Sequence, residues 1–115
     1  MQRVIQTGLW KMDIHSSAHI ATTALIDRTW PRGVHIGANC IIADEAVVLT
    51  HDLTRGLYLD TWIGEGSFLG ARAIVLPGVT IGRDCVVHPG ALVNRNMDDY
   101  SEAIGNPANI KRRDA

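Results

Sequence analysis

The chain has 115 residues, of which 46% are hydrophobic by type and only 5% aromatic, and this balance favours an all-β core of branched aliphatic side chains. Its 11 basic and 12 acidic residues leave a formal charge of −1, which provides no positive field for nucleic acid or an anionic membrane surface. The apolar stretches are shorter than the ~20 residues of a membrane helix, and the N-terminus shows no signal-peptide pattern. We therefore expect a cytoplasmic protein with no membrane insertion.

Aliphatic residues recur at intervals of six along the chain. They form four sets of three: Ile14, Ile20 and Ile26; Ile36, Ile42 and Val48; Ile63, Leu69 and Val75; Ile81, Val87 and Val93. This period fits neither the 3.6 of a helix nor the 2 of a simple strand. It describes a short strand followed by a corner, and three such units close one triangular coil. The sequence predicts a parallel β-helix of about four coils over residues 14–97, between a lead-in (1–13) and a C-terminal tail (98–115).

Two insertions interrupt the period, at residues 28–35 and 49–62. With three repeats per coil, both fall at the same corner of the prism, between the third face of one coil and the first face of the next. Insertions on the side of a regular stack are where repeat proteins place function. This corner is therefore the predicted functional site.

His51 is the strongest candidate for chemistry, because it lies near the start of the longer insertion and has polar neighbours. An imidazole can accept or release a proton near physiological pH, which suits it to acid–base chemistry. The adjacent Asp52 either orients the imidazole or caps a turn, and the sequence leaves both roles open.

The two cysteines, Cys40 and Cys85, are too few for a disulfide scaffold and lack the spacing of a CxxC pair. The six-residue register places them on the same face two coils apart, roughly 9–10 Å by coil spacing. We expect them to be unbonded.

The stretch IGEGSFLGARAIVLPGVTIGRDCVV, residues 63–87, and the tail AIGNPANIKRR, residues 103–113, resemble the hexapeptide-repeat acyltransferases, and the sugar O-acetyltransferases among them. The resemblance implies a left-handed winding and a homotrimer with each active site between two prisms. It also implies direct transfer of an acetyl group from acetyl-CoA to a hydroxyl or amine of a sugar or similar small acceptor, with His51 as general base.

Further roles are carried over from the family by position. The backbone N–H of Ala71 would stabilise the oxyanion. The positions matching coenzyme A contacts are Ala71, Pro89, Asn94, Arg95, Asn109 and Arg112, and the two arginines suit phosphate groups. Three residues of the shorter insertion region are candidates for acceptor binding by position alone: Asp27, Arg28 and Trp30. No metal is expected.

The same family includes γ-class carbonic anhydrases, so a zinc enzyme is an alternative. Zinc catalysis requires three convergent protein ligands. His15 and His19 belong to the first coil and His88 to the fourth, ~14 Å away by coil spacing. His35 and His51 are able to approach one another at the insertion corner, with a third ligand from a neighbouring chain.

Two further alternatives stay open. The repeat specifies a fold and not a chemistry, so a non-catalytic assembly module fits it equally well. Serine acetyltransferase also uses a loop histidine on a β-helix, but it carries a large helical N-terminal domain that we do not expect in this chain.

Overall fold

A computed structural model describes residues 12–113, in which short strands form three sheets around a triangular interior, parallel throughout except for the last strand of one sheet. Sheet A contains β1 (Asp13–Ile14), β4 (Val34–Ile36), β9 (Thr61–Ile63) and β12 (Thr80–Ile81). Sheet B contains β2 (His19–Ile20), β5 (Ile41–Ile42), β10 (Phe68–Leu69), β13 (Val86–Val87), β15 (Ser101–Ile104) and β16 (Asn109–Arg112). Sheet C contains β3 (Leu25–Ile26), β6 (Val47–Val48), β11 (Ile74–Val75) and β14 (Leu92–Val93).

The remaining elements lie in the insertions. A hairpin of β7 (His51–Asp52) and β8 (Leu57–Tyr58) forms part of the longer one, and a 3-10 turn, Pro31–Gly33, belongs to the shorter one. Among residues 12–113, no helix has the length and apolar character needed to cross a membrane. Most of the predicted lead-in lies outside the described residues.

The strand register confirms the six-residue period and its four coils. In sheet A, Ile14, Ile36, Ile63 and Ile81 are successive partners. The second residues of the four sets pair with one another in sheet B, and the third residues pair with one another in sheet C. All of these side chains are buried except Ile14, which is half-buried in the first strand.

The stack continues past Val93. Met97 bridges to Ile81, and β15 pairs in parallel with β13, so that Ala103 lies beside Val87. The chain then reverses, and β16 pairs with β15 in the antiparallel direction. The tail thus ends the stack with its own strands, while the boundary between residues 97 and 98 stays a prediction.

Small residues occupy the corners of the prism, where the interior is narrowest. Five of them are fully buried: Cys40, Ala46, Ala73, Cys85 and Ala91. Both cysteines are free, as predicted. The corners turn through residues with left-handed backbone, such as Asn39 with φ 59° and Gly66 with φ 74°, which are among the residue types that adopt this conformation at least cost.

The interior position Leu69 tests how tightly this prism is packed. Its side chain is fully buried between β5 and β13, so Leu69→Ala should lower the free energy of unfolding by about 2–5 kcal/mol in urea denaturation. Leu53→Ala, at the exposed tip of the hairpin, should cost less than ~0.5 kcal/mol. Equal losses in the two variants would contradict the assignment of Leu69 to the core.

Candidate active site

Both insertions connect sheet C to sheet A, at the single corner that the sequence predicts. Buried threonines hold the two loops to the prism. The Thr50 hydroxyl donates to the backbone carbonyl of Trp30 at 3.1 Å, and the Thr61 hydroxyl donates to that of Leu49 at 2.7 Å. Both threonines are fully buried. The sequence analysis did not identify them, although a threonine near the end of an insertion, two positions from a residue of the aliphatic register, is a usable signal.

His51 is held by Asp27, a residue 24 positions earlier in the chain. Its Nδ1 lies 3.3 Å from Asp27 Oδ2. The carboxylate also accepts backbone N–H groups, from Thr50 at 3.0 Å and from Thr29 at 2.8 Å. Asp27 is only 7% exposed. Asp27, directly after β3, therefore supplies a fixed hydrogen-bond acceptor for the histidine of the next coil.

The charge of Asp27 fixes the tautomer of the imidazole. Burial alone raises the pKa of this carboxyl, but the hydrogen bonds from Thr50, Thr29 and His51 outweigh burial, and the pKa is lowered below its usual value. An ionised carboxylate only accepts hydrogen bonds. When the His51 ring is neutral, Nδ1 therefore carries the proton, and Nε2 keeps the lone pair that a general base needs.

Asp52 does not make the contact with His51 that Asp27 makes. Its carboxylate accepts from Arg55, at 2.7 Å from Nε and at 3.2 Å from the backbone N–H. The hydrogen bond to the backbone stabilises the hairpin turn, which is the second of the two roles that the sequence left open. Asp27, predicted as an acceptor-binding residue, lies beside Nδ1 of His51.

A cavity of about 300 Å³ opens beside His51. Its lining comes from both the hairpin and the next coils: Leu49, His51, Asp52, Leu53, Arg55, Leu76, Pro77 and Asn94. Asn94, predicted as a coenzyme contact, therefore lies in the same cavity as the predicted base. A cleft with apolar walls and a few convergent polar groups is the usual form of a small-molecule site.

Two aromatic rings also lie close to His51. The Tyr58 ring stacks against the imidazole with centroids 5.8 Å apart, and Trp30 contacts Tyr58 at 6.0 Å in a tilted arrangement. Trp30, predicted from its position alone, thus belongs to the surroundings of the site, whereas Arg28 is exposed beside it. The sequence analysis assigned no role to Tyr58.

The other predicted residues lie elsewhere on the prism. Ala71 and Pro89 belong to the turns between sheets B and C, a different corner from that of His51. Arg95 follows Asn94 at the His51 corner, while Asn109 and Arg112 lie on β16 at the end of the stack. Within one chain, the predicted base and the predicted oxyanion donor are therefore at separate corners.

His35 has its own partners and does not line the cavity of His51. Its Nδ1 lies 2.9 Å from Asp13, its Nε2 lies 2.8 Å from Asp60, and its ring stacks on Trp62 at 3.7 Å. Within residues 12–113, no group of three or more histidine, cysteine or acidic side chains is arranged to hold a metal ion. The described residues of one chain thus form no complete ligand set, and the zinc alternative with a third ligand from a neighbouring chain stays untested.

The two carboxylates make His35 a source of pH-dependent stability. Burial alone lowers the pKa of the imidazole, but the hydrogen bonds to Asp13 and Asp60 outweigh it and raise the pKa above its usual value. Because the pKa is raised in the folded state, the ion pairs stabilise the fold fully at pH values below the pKa that the imidazole has in the unfolded chain. This stabilisation is lost as the pH rises through the folded-state value.

We therefore expect His35→Gln to destabilise the protein more at about pH 5 than at about pH 9. The difference should be about 1 kcal/mol or less, because both carboxylates are largely exposed and screened. Urea denaturation at the two pH values measures it, with the exposed His19→Gln as control. An identical loss at both pH values would contradict the ion-pair assignment.

Comparison with known proteins agrees with this architecture. Residues 60–95 match the family described as bacterial transferase hexapeptide (six repeats). Residues 60–95 therefore carry a hexapeptide repeat of the kind found in bacterial transferases. The matched segment covers β9 to β14, the most regular part of this hexapeptide-repeat chain, and the resemblance stated from the sequence is confirmed.

Three curated relatives illustrate the range of similar proteins. The hexapeptide-repeat chain is 30% identical to YvoF of Bacillus subtilis (strain 168) over 102 residues, which is 87% of this chain and 59% of that protein. It is 33% identical to serine acetyltransferase 2 of Arabidopsis thaliana, covering 88% of this chain and 32% of that enzyme. Over 52 residues it is 44% identical to the galactoside O-acetyltransferase of Lactococcus lactis, covering 45% of this chain and 25% of that enzyme.

A solved structure shows the same fold. The hexapeptide-repeat-containing acetyltransferase of Vibrio cholerae superposes with a TM-score of 0.75 at 23% identity, over 89% of this chain and 62% of that one. The fold is the all-β parallel β-helix that the sequence predicts, and its left-handed winding is what the resemblance to the hexapeptide-repeat acyltransferases implies. The chain spans a quarter to three-fifths of the length of the curated relatives described above.

Proposed function

We propose that this chain is an acetyltransferase that moves an acetyl group from acetyl-CoA to a hydroxyl of a small acceptor. The observation that carries the proposal is the pairing of His51 with the buried carboxylate of Asp27 at the wall of a cavity. Acetyltransferases among the curated relatives support the reaction class. A cytoplasmic location is part of the same proposal.

The proposed step needs no covalent enzyme intermediate. Nε2 of His51 takes the proton of the acceptor hydroxyl while the oxygen attacks the thioester carbonyl. The tetrahedral oxyanion then collapses, the carbon–sulfur bond breaks, and the departing coenzyme A thiolate takes the proton back from the imidazolium. Asp27 stays ionised throughout and stabilises the imidazolium as it forms.

The proposed oxyanion donor is the backbone N–H of Ala71. Because Ala71 and His51 lie at different corners of one prism, this role requires two chains, with the His51 corner of one facing the Ala71 corner of the next. A closed threefold ring satisfies that arrangement at every interface. Sheet C, which joins the two corners, then faces the symmetry axis.

The outer surface of sheet C supports this homotrimer. Its outward side chains form an aliphatic ladder in strand register: Leu25, Val47, Ile74 and Leu92. Leu25 is 56% exposed. In contrast, the outward ladder of sheet A contains Asp13, His35, Trp62 and Thr80. A contiguous aliphatic face is costly in water and is typical of a buried interface.

Ile74→Glu places a charge in the middle of this ladder, and we expect it to convert the homotrimer to monomer. Thr80→Glu, on the outer surface of sheet A, should leave the assembly unchanged. Light scattering during size-exclusion chromatography measures both masses. A monomeric unsubstituted protein, or a trimeric Ile74→Glu variant, would contradict the proposed packing.

Coenzyme A binding is proposed for residues on both sides of such an interface. Asn94 lines the His51 cavity, and Arg95 next to it is exposed. Arg112, also exposed, lies on β16. Guanidinium groups pair well with phosphates, and we assign the two arginines to the nucleotide end of the coenzyme. Ala71, Pro89 and Asn109 complete the set carried over from the family.

The acceptor is proposed to be a sugar hydroxyl, because the galactoside O-acetyltransferase shares the highest identity of the three relatives. Serine is the second candidate, since the serine acetyltransferase relative aligns with more of this chain. Asp27 is 7% exposed and hydrogen-bonded on both oxygens. Direct acceptor contacts therefore fall to Trp30 and Arg28.

The proposal is tested by adding acetyl-CoA to the purified protein and measuring thiol release with sugars, nucleotide sugars and serine. We expect release that depends on one acceptor class, and stabilisation of the fold by acetyl-CoA that is weakened in Arg95→Ala and Arg112→Ala. Binding without release would favour a protein that uses the coenzyme as a ligand only. The absence of both would favour the non-catalytic assembly module.

A further inference from the structure

The cavity beside His51 has one arginine in its wall, Arg55 of the hairpin. The same wall contains Asp52, the amide of Asn94 and several apolar side chains. Among the described residues that line it, no other arginine and no lysine is found. A cation at this place favours ligands with an anionic group, because such a group gains an ion pair that a neutral group does not.

The guanidinium of Arg55 is anchored through one of its three nitrogens. Nε donates to Oδ2 of Asp52 at 2.7 Å, and the backbone N–H of Arg55 donates to Oδ1 at 3.2 Å. These hydrogen bonds hold the pKa of Asp52 below its usual value, so the anchoring carboxylate is ionised at neutral pH. The ion pair restrains the guanidinium before a ligand arrives, which reduces the entropic cost of binding.

The rest of the guanidinium is open to a ligand. Arginine has five side-chain N–H donors, and within residues 12–113 those on the two Nη atoms of Arg55 make no hydrogen bond. The Arg55 side chain is 65% exposed, whereas that of Asp52 is 22% exposed. A ligand therefore meets the guanidinium more readily than the carboxylate that anchors it. The Nη pair forms a planar fork that matches two oxygens of a carboxylate or a phosphate.

One small molecule can contact both Arg55 and His51. The anchor, Asp52, follows His51 directly in the chain, so their Cα atoms are ~3.8 Å apart. All three residues line the same cavity of about 300 Å³, which is the size of a small-ligand site. The phosphates of coenzyme A fit Arg55 less well, because the pantetheine arm separates them from the thioester, and the thioester must itself lie next to His51.

We propose that the acceptor is an anionic sugar, whose carboxylate or phosphate is bound by the Nη fork of Arg55 while one of its hydroxyls lies at His51. This inference rests on the proposed function and makes Arg55 a specificity-determining residue of the same site. The opposite choice is an amino sugar bound by Asp52. It is disfavoured because that carboxylate is the less exposed member of the pair and already accepts two hydrogen bonds from Arg55.

The test compares acetyl transfer to galactose with transfer to galacturonate, galactose 6-phosphate and galactose 1-phosphate. We expect kcat/KM for at least one anionic sugar to exceed that for galactose on the order of 10–100-fold, the effect of hydrogen bonds to a charged group. The three anionic sugars distinguish a carboxylate from a phosphate and one end of the ring from the other. Arg55→Gln should lose the preference, and Arg55→Lys, which keeps the charge without the fork, should retain part of it.

Arg83→Gln is the matched control. The Arg83 side chain is 64% exposed and also pairs with an aspartate, Asp99, at 3.4 Å, but it lies at the corner between sheets A and B. This variant should keep the preference for the anionic sugar. Equal use of neutral and anionic sugars by the unsubstituted protein, or a preference that survives in Arg55→Gln, would overturn the proposal. A change confined to the KM for acetyl-CoA would overturn it in favour of a coenzyme contact.

Binding is measured separately from transfer, by titrating the whole ¹⁵N-labelled chain with each sugar. The Nε–H signal of Arg55, assigned by its absence from Arg55→Gln, should shift saturably with an anionic sugar and not with galactose. Such shifts in a protein that transfers no acetyl group would support this site while contradicting the proposed function. No shift with any of the sugars, or Arg55-dependent transfer to serine and to none of the sugars, would overturn the proposal.

Discussion

Replacement of His51 by asparagine should reduce acetyl transfer by about 10²–10⁴-fold, the range that a positioned general base contributes. The loss should fall on kcat, since the imidazole acts on the proton that moves in the transition state. Thiol release from acetyl-CoA in the presence of the best acceptor measures it.

His19→Asn is the matched control for this substitution. His19 is an exposed histidine on β2, on a different face from the insertion corner, so its variant should keep full activity. Asparagine keeps the size and polarity of position 51, and acetyl-CoA should still stabilise the His51→Asn fold. Full transfer by His51→Asn would contradict the role of His51 as base.

The second large effect is expected from Asp27→Asn. The amide keeps the shape of the carboxylate but removes its charge, and it no longer obliges Nδ1 of His51 to carry the proton. We expect a loss of transfer on the order of 100-fold. Steady-state assays of thiol release at neutral pH measure it.

Substitutions of two other carboxylates distinguish the loss of the Asp27 contact from a general change in the charge of the protein. Asp52→Asn should lose less activity than Asp27→Asn, because Asp52 pairs with Arg55 and not with the imidazole. Asp98→Asn, on an exposed turn between sheets A and B, should be neutral. A larger loss in Asp52→Asn than in Asp27→Asn would reverse the assignment of the orienting carboxylate.

Asp27 also makes the fold sensitive to acid. Its lowered pKa means that the folded state gains stability from the ionised carboxylate above the pKa of the unfolded chain, and loses it as the pH falls through the folded-state value. Asp27→Asn lacks this dependence, so stability and activity are to be compared at neutral pH.

The sequence predicts the fold in detail because its signal is local and periodic. Each aliphatic residue of the register needs only its six-residue spacing to be assigned to the interior, and partners such as Ile42, Leu69 and Val87 follow by counting. The two insertions are also visible as departures from that count. Their placement at one corner follows from the same arithmetic.

The contacts inside the site are not periodic, and the sequence predicts them less well. His51 lies at the wall of a cavity, and its carboxylate partner comes from the preceding coil and not from the adjacent Asp52. No spacing rule predicts a contact between Asp27 and His51, which are 24 residues apart, because the contact depends on how the two loops fold over each other. Buried polar anchors such as Thr50 and Thr61 depend on the same loop packing.

The proposed mechanism depends on Asp27 holding a proton on Nδ1 of His51, which leaves Nε2 as the base. Long-range ¹H–¹⁵N NMR of the imidazole, at a pH where the ring is neutral, reads the tautomer directly. We expect a protonated Nδ1 and an unprotonated Nε2 in the unsubstituted protein, with that preference lost in Asp27→Asn. A neutral ring protonated on Nε2, unchanged by the Asp27→Asn substitution, would contradict it.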